Sequence, residues 1–160
     1  MSHVDFKRGL QAEKDFADSY LKDFAWATKH QNMFEHWDVK GILSDLSERP
    51  LKFDVKALKK INKSDRDTSD DFTWIEGTNV NGDAGWIKGQ SDYIVFERNN
   101  CWTCIEREAL LKWVAQKIRD KGIKTGKGSY ELYQREGRKD IITLIKFSDI
   151  DSIAVLNLSK

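Results

Sequence analysis

Apolar positions early in the chain recur at helical spacing. Phe6, Leu10, Ala17, Tyr20 and Phe24 share one face, widened by Phe16 and Leu21, and predict a helix over residues 5–28. The position completing that stripe between Leu10 and Ala17 is Glu13. A carboxylate on an inner helix face is costly to bury unless it is paired or bound to a metal. The plainer account puts Glu13 at the edge of the stripe, reaching water. Beyond this helix the pattern becomes strand-like over 34–43 and 51–58. The connector 44–50 has turn composition, and Pro50 lies outside both strand interiors. So short a connection predicts an antiparallel hairpin, with Asp38 and Asp54 on neighbouring strands.

Residues 59–71 contain a single apolar residue, Ile61, and read as a solvated loop. A strand follows at 72–77, then a turn through Asn81-Gly82-Asp83 and an extended region over 85–97. Within it, Tyr93 to Phe96 are apolar on both faces, which suits a central strand of a covered sheet. Leu110, Leu111, Val114 and Ile118 predict a second helix over 106–121, ended by Gly122. Strands at 130–135 and 141–147 flank the turn 136–140 and predict a C-terminal hairpin. The chain has no internal repeats. This order predicts an α/β (α+β) domain in which one central mixed sheet is flanked by helices.

Composition narrows the class. With 160 residues, six tryptophans and eight phenylalanines, the chain can bury a sizeable core, and a single domain over 1–160 is expected. No apolar run approaches membrane-spanning length, and Met1-Ser2-His3-Val4-Asp5 lacks a basic-then-apolar secretion signal, so a cytoplasmic location is the default expectation. The net charge of +1 means that any nucleic-acid binding must use a local patch rather than a global field. Cys101 and Cys104 could form a redox pair or half a zinc site. The only histidines, His3, His30 and His36, lack metal-ligand spacing, and the Cys-Trp-Thr-Cys run is strand-like. Both cysteines therefore read as ordinary thiols with some burial.

The segment Lys52-Phe53-Asp54-Val55-Lys56-Ala57 carries the most chemistry. In a strand, residues i and i+2 point to the same face, roughly 6.6 Å apart. Phe53, Val55 and Ala57 can face a core while Asp54 and Lys56 project together on the other side. Two acids and a lysine in one place can hold a divalent metal and a phosphate. The alternative is a structural ion-pair cluster of Asp38, Lys40, Asp54 and Lys56 across neighbouring strands.

A helix bearing Glu13, a strand bearing Asp38, a strand bearing Asp54-Val55-Lys56, then a third strand, a helix and another strand: this order resembles the PD-(D/E)XK nuclease superfamily. The likeness runs to about residue 121, and Gln90 is a polar addition near the matching residues. Trp37, not proline, precedes Asp38. The resemblance implies a restriction-endonuclease-like αβββαβ core, extended here by the C-terminal hairpin. It also implies phosphodiester hydrolysis with Mg2+ or Mn2+. Asp38 and Asp54 would hold the ion with the Val55 carbonyl, Glu13 would orient a water or support a second ion, and Lys56 would stand beside the scissile phosphate.

DNA is the expected substrate, with RNA left open. Candidate phosphate contacts are Lys59, Lys60, Arg135, Arg138 and Lys139. Trp86, Tyr130 and Tyr133 could stack on bases, although strand aromatics more often belong to a core. A single-site domain must dimerise or act twice to cut both strands of a duplex, so a homodimer is one arrangement this reading allows. The competing class is a non-catalytic nucleic-acid-binding or scaffolding protein that keeps the nuclease fold.

Overall fold

Helical periodicity in the first segment gives way to strand periodicity sooner than the apolar stripe suggests. In the computed structural model, which describes residues 3–160, the first helix α1 spans His3–Tyr20. Its last turn closes with the Leu21 amide donating to the Ala17 carbonyl at 3.0 Å. Asp23 then takes a left-handed conformation (φ 50°) within the next element, strand β1 (Lys22–Trp26). Phe24 fits both periods, at helical spacing from Tyr20 and at strand spacing from Trp26. Pairing of β1 with the following strand decides between them.

The remaining order is a π-helical turn (Gln31–Glu35), β2 (Val39–Ile42), β3 (Leu51–Lys56), β4 (Phe72–Thr78), a 3-10 turn (Trp86–Lys88), β5 (Tyr93–Glu97) and β6 (Cys101–Glu106). Then come α2 (Arg107–Lys117), β7 (Ile123–Lys124), β8 (Leu132–Tyr133), β9 (Ile141–Lys146), α3 (Phe147–Ile150) and β10 (Leu156–Ser159). The class is mixed α/β, of the α+β kind. Its strands form two mixed sheets where the sequence pattern predicts one. Among the described residues, no helix is long and apolar enough to cross a membrane.

Contacts gather the chain into two compact units. The first takes the N-terminal stretch to Ala57, Gln90–Glu106 and Val155–Lys160. Its six-stranded sheet has the order β1-β2-β3-β5-β6-β10, with β3 and β5 parallel and all other neighbours antiparallel. The predicted hairpin is present: Val39, Lys40 and Gly41 of β2 pair with Phe53, Lys52 and Leu51 of β3. Gly41 is required there, because a Cβ would stand 2.8 Å from the Cβ of Phe24. One face of this sheet carries Val39, Phe53, Val55, Val95, Trp102 and Cys104 into a core closed by Ala12, Phe16 and Ala17 of α1.

That packing covers only the later part of the predicted stripe and widens it towards Ala12 and Phe16. Ala12, Phe16 and Ala17 are buried, while Phe6 and Leu10 stay 54% and 51% exposed. Phe16 is the anchor, with its ring 5.6 Å from those of both Phe53 and Trp102. Glu13 falls between Ala12 and Phe16 and is half-buried.

The second unit comprises Leu58–Gly89 and Arg107–Ala154. Its four-stranded sheet runs β4-β9-β8-β7. The expected hairpin exists as β8 and β9, joined in register at Tyr133 and Ile142, but it extends this sheet rather than the first. The reason is the long β4–β9 ladder, which pairs Phe72 with Lys146 and continues to Thr78 with Ile141.

Candidate functional site

The chain approaches Asp38 through an irregular segment held by its own side chains. His36 leaves the π-helical turn in the left-handed region (φ 58°), a conformation that non-glycine residues adopt at a cost. Trp37 is buried and donates its indole N–H to Glu35 Oε1 at 3.0 Å. Lys52 of β3 lies over the Trp37 ring at 5.3 Å from its centroid and reaches Glu35 at 3.8 Å. Asp38 thus stands just before β2, its amide donating to the Phe53 carbonyl at 2.9 Å.

The Asp38 carboxylate does the work of a missing strand residue. Its Oδ2 accepts the Val55 amide of β3 at 2.7 Å, and its Oδ1 accepts the Asn32 side-chain amide at 2.7 Å. Asn32 was not legible as a site residue in the sequence. It lies in a polar turn upstream of Asp38, and nothing in the local pattern marks it.

Asp54 and Lys56 share a face of β3, as strand alternation requires. Asp54 is only 2% exposed, and its register partner on β5 is Ile94, itself fully buried. The Lys56 ammonium meets Asp54 Oδ1 at 2.9 Å. Asp54 Oδ2 is buried with no hydrogen-bond partner.

Both aspartates are hard to ionise in this setting. Burial pushes Asp54 up to about 7, with Asp38 repelling its charge and Lys56 opposing the shift. Burial also pushes Asp38 up to about 7, with the Glu13 carboxyl in hydrogen-bonding reach adding to the rise and Lys56 and the Val55 amide opposing it. Glu13, Asp38, Asp54 and Lys56 therefore form one electrostatically connected group, drawn from α1, the residue before β2, and β3.

Among the described residues, no three His, Cys, Asp or Glu side chains stand in metal-holding geometry. The donor chemistry nonetheless suits a hard cation, since Mg2+ takes one or two carboxylates and fills its shell with water and phosphate oxygens. The orphaned Asp54 Oδ2 is a buried acceptor with nothing to accept from, and a cation would satisfy it.

The candidate nucleic-acid contacts all lie in the second unit. Lys59 and Lys60 are half-buried, and the Lys60 carbonyl accepts the Trp74 indole N–H at 3.3 Å. Arg138 and Lys139 are exposed on the turn of Gly137 (φ 72°). Arg135 is ion-paired with buried Asp140, which ties its guanidinium to the base of that turn. Gln90, in the first unit, is exposed and donates its amide to the Glu35 carbonyl at 2.7 Å. Trp86 and Tyr133 are buried, and Tyr130 gives its hydroxyl to Asp149, so these aromatics serve packing.

The cysteines are both free thiols. Being three residues apart in β6, they point to opposite faces of the sheet, which separates them as a redox pair. Burial pushes the Cys104 thiol up to about 12, leaving it inert.

Compared with protein-family models, curated proteins and solved structures, the chain matches none of them.

Proposed function

We propose that this chain is a divalent-metal-dependent nuclease of the PD-(D/E)XK kind, acting on DNA as an endonuclease. The observation that carries the reading is the joining of Asp38, Asp54 and Lys56 across the β2–β3 hairpin, with Glu13 reaching Asp38 from the packed helix. The strand order adds support, because three antiparallel strands β1-β2-β3 followed by β5 parallel to β3 fit a restriction-endonuclease-like core.

Asp38 and Asp54 are the residues that would hold Mg2+ or Mn2+, with the Val55 carbonyl and Glu13 as further oxygen donors. Such an ion supplies charge stabilisation on the phosphoryl oxygens and a more acidic water. The protein's own part is positioning. Asn32 and the Val55 amide fix the Asp38 carboxylate, so its orientation is set before any substrate arrives. Lys56 has its ammonium on the side of the aspartates and would bind a phosphate oxygen as negative charge develops there. Glu13 would accept a proton from, or orient, the attacking water. Lys59, Lys60, Arg135, Arg138 and Lys139 would contact the DNA backbone, and a homodimer would let two such sites cut both strands.

The test is cleavage of supercoiled plasmid, linear duplex, branched DNA and RNA with Mg2+, Mn2+ or chelator. Metal-dependent cleavage that Asp38→Asn and Lys56→Ala both abolish is the expected result. No cleavage of any substrate, together with no metal binding by calorimetry, would overturn it. The second reading, a non-catalytic nucleic-acid-binding scaffold, draws on the Lys56–Asp54 ion pair, which satisfies the lysine without a phosphate. DNA binding without cleavage would select that reading.

A further inference from the structure

We propose that the second unit contains a binding site for a small carboxylic acid with a compact apolar body that carries a second oxygen. The site is a cavity of about 170 Å³. Its floor is the sheet face on which Ile75 of β4 and Thr143 of β9 are cross-strand partners. Its roof is α2, through Leu111 and Val114, and Ile118 just beyond the helix. An engineered apolar cavity of about 150 Å³ holds benzene, so this space takes one ring or a short branched chain.

Two features make it more than a packing gap. The first is Thr143, only 3% exposed, which lines the cavity and whose buried hydroxyl has no hydrogen-bond partner. A buried hydroxyl left unmet is costly, and a χ1 rotation towards the cavity, on the face Thr143 shares with Ile75, would let an oxygen on the ligand body meet it. The second is charge at the rim, where Lys88 and Lys121 border the same space. Both are exposed, and neither has a carboxylate partner among the described residues. Lys121 instead donates to the Ala115 carbonyl near the end of α2, at 3.3 Å. An apolar interior with an internal hydroxyl and two ammonium groups outside suits an anion whose carboxylate stays near the lysines.

Gly77 keeps the space open. It lines the cavity, and a Cβ built there would meet only the Ile141 carbonyl oxygen, at 3.9 Å. A Cβ can therefore be added there without a backbone clash.

The experiment is a methyl NMR titration of the full chain with benzoate and its three monohydroxy isomers, with benzene and benzylamine as controls for charge. Saturable shifts at Ile75, Val114 and Thr143 are expected, with a Kd of about 1 mM or tighter for a ligand of this size. At least one hydroxybenzoate should bind more tightly than benzoate, and Thr143→Val should erase the difference. Gly77→Val fills the space from the sheet and Ala115→Leu from the helix. Each should weaken benzoate binding by about tenfold or more, the scale of a lost apolar contact. Lys88→Gln with Lys121→Gln should weaken benzoate and leave benzene unchanged. The proposal is overturned if no saturable binding occurs, if both filling variants bind like the wild type, or if benzylamine binds as well as benzoate.

Discussion

Replacing Asp54 by asparagine should make the protein more stable at neutral and higher pH while removing cleavage. In the folded chain the Asp54 carboxyl is raised from 3.8 to about 7 by burial beside apolar neighbours. The folded state then binds more protons than the unfolded chain between about pH 4 and pH 7, so stability falls as pH rises through that window. The rise spans about three pH units, and at about 1.4 kcal/mol for each the upper bound is about 4 kcal/mol. Asparagine is neutral throughout and escapes this cost. The pull of Lys56 on the ionised carboxylate is already contained in that raised value, so the lost ion pair adds nothing separate. The stability of the variant relative to wild type should therefore climb by about 2–4 kcal/mol between about pH 4.5 and pH 8. Urea unfolding at a series of pH values, without divalent ions, measures it directly. A relative stability that is flat across this range, or that falls with pH, refutes the account of Asp54 as a buried carboxyl that ionises at a cost.

The other predictions concern the metal and the helix. Because Asp38 and Asp54 both sit at about 7, binding Mn2+ at neutral pH should release about one proton and tighten as pH rises. Calorimetry in buffers of differing ionisation enthalpy reads this, and a proton-neutral, pH-independent affinity would contradict it. Phe16→Ala should cost about 3–5 kcal/mol, since a fully buried ring packed on Phe53 and Trp102 is deleted. Denaturant midpoints check that figure, and a loss below about 1 kcal/mol would show that α1 is not anchored there.

Much of the candidate site could be read along the chain because strand alternation is a local rule. The spacing of Asp54 and Lys56 alone places them on one face, and the short connector after 34–43 makes the β2–β3 hairpin the simplest pairing. Other parts were hidden. Glu13 occupies the inner side of α1, but the apolar stripe used to find it included Phe6 and Leu10, which remain exposed. Helical spacing cannot tell how far along a face the packing extends, because Ala17 shares its face with Phe6 and Leu10 and only Ala17 is buried. The role of Asn32 depends on the chain doubling back through the left-handed His36, which no periodicity encodes.

Although it ran the helix through β1 and left β10 unread, the sequence by itself determined much of the element order: a leading helix, the strands at 51–56, 72–78 and 93–97, a charged loop after Lys56, and the pairing of neighbours across short turns. These follow from side-chain period and turn chemistry, which act over a few residues. Tertiary structure alone decided which distant strands share a sheet, sending β9 to β4 and β10 to β6. It also decided how hard the aspartates are to ionise, because desolvation depends on what the folded chain lays beside them. The residue types in the group were written in the sequence. Its electrostatics came from burial.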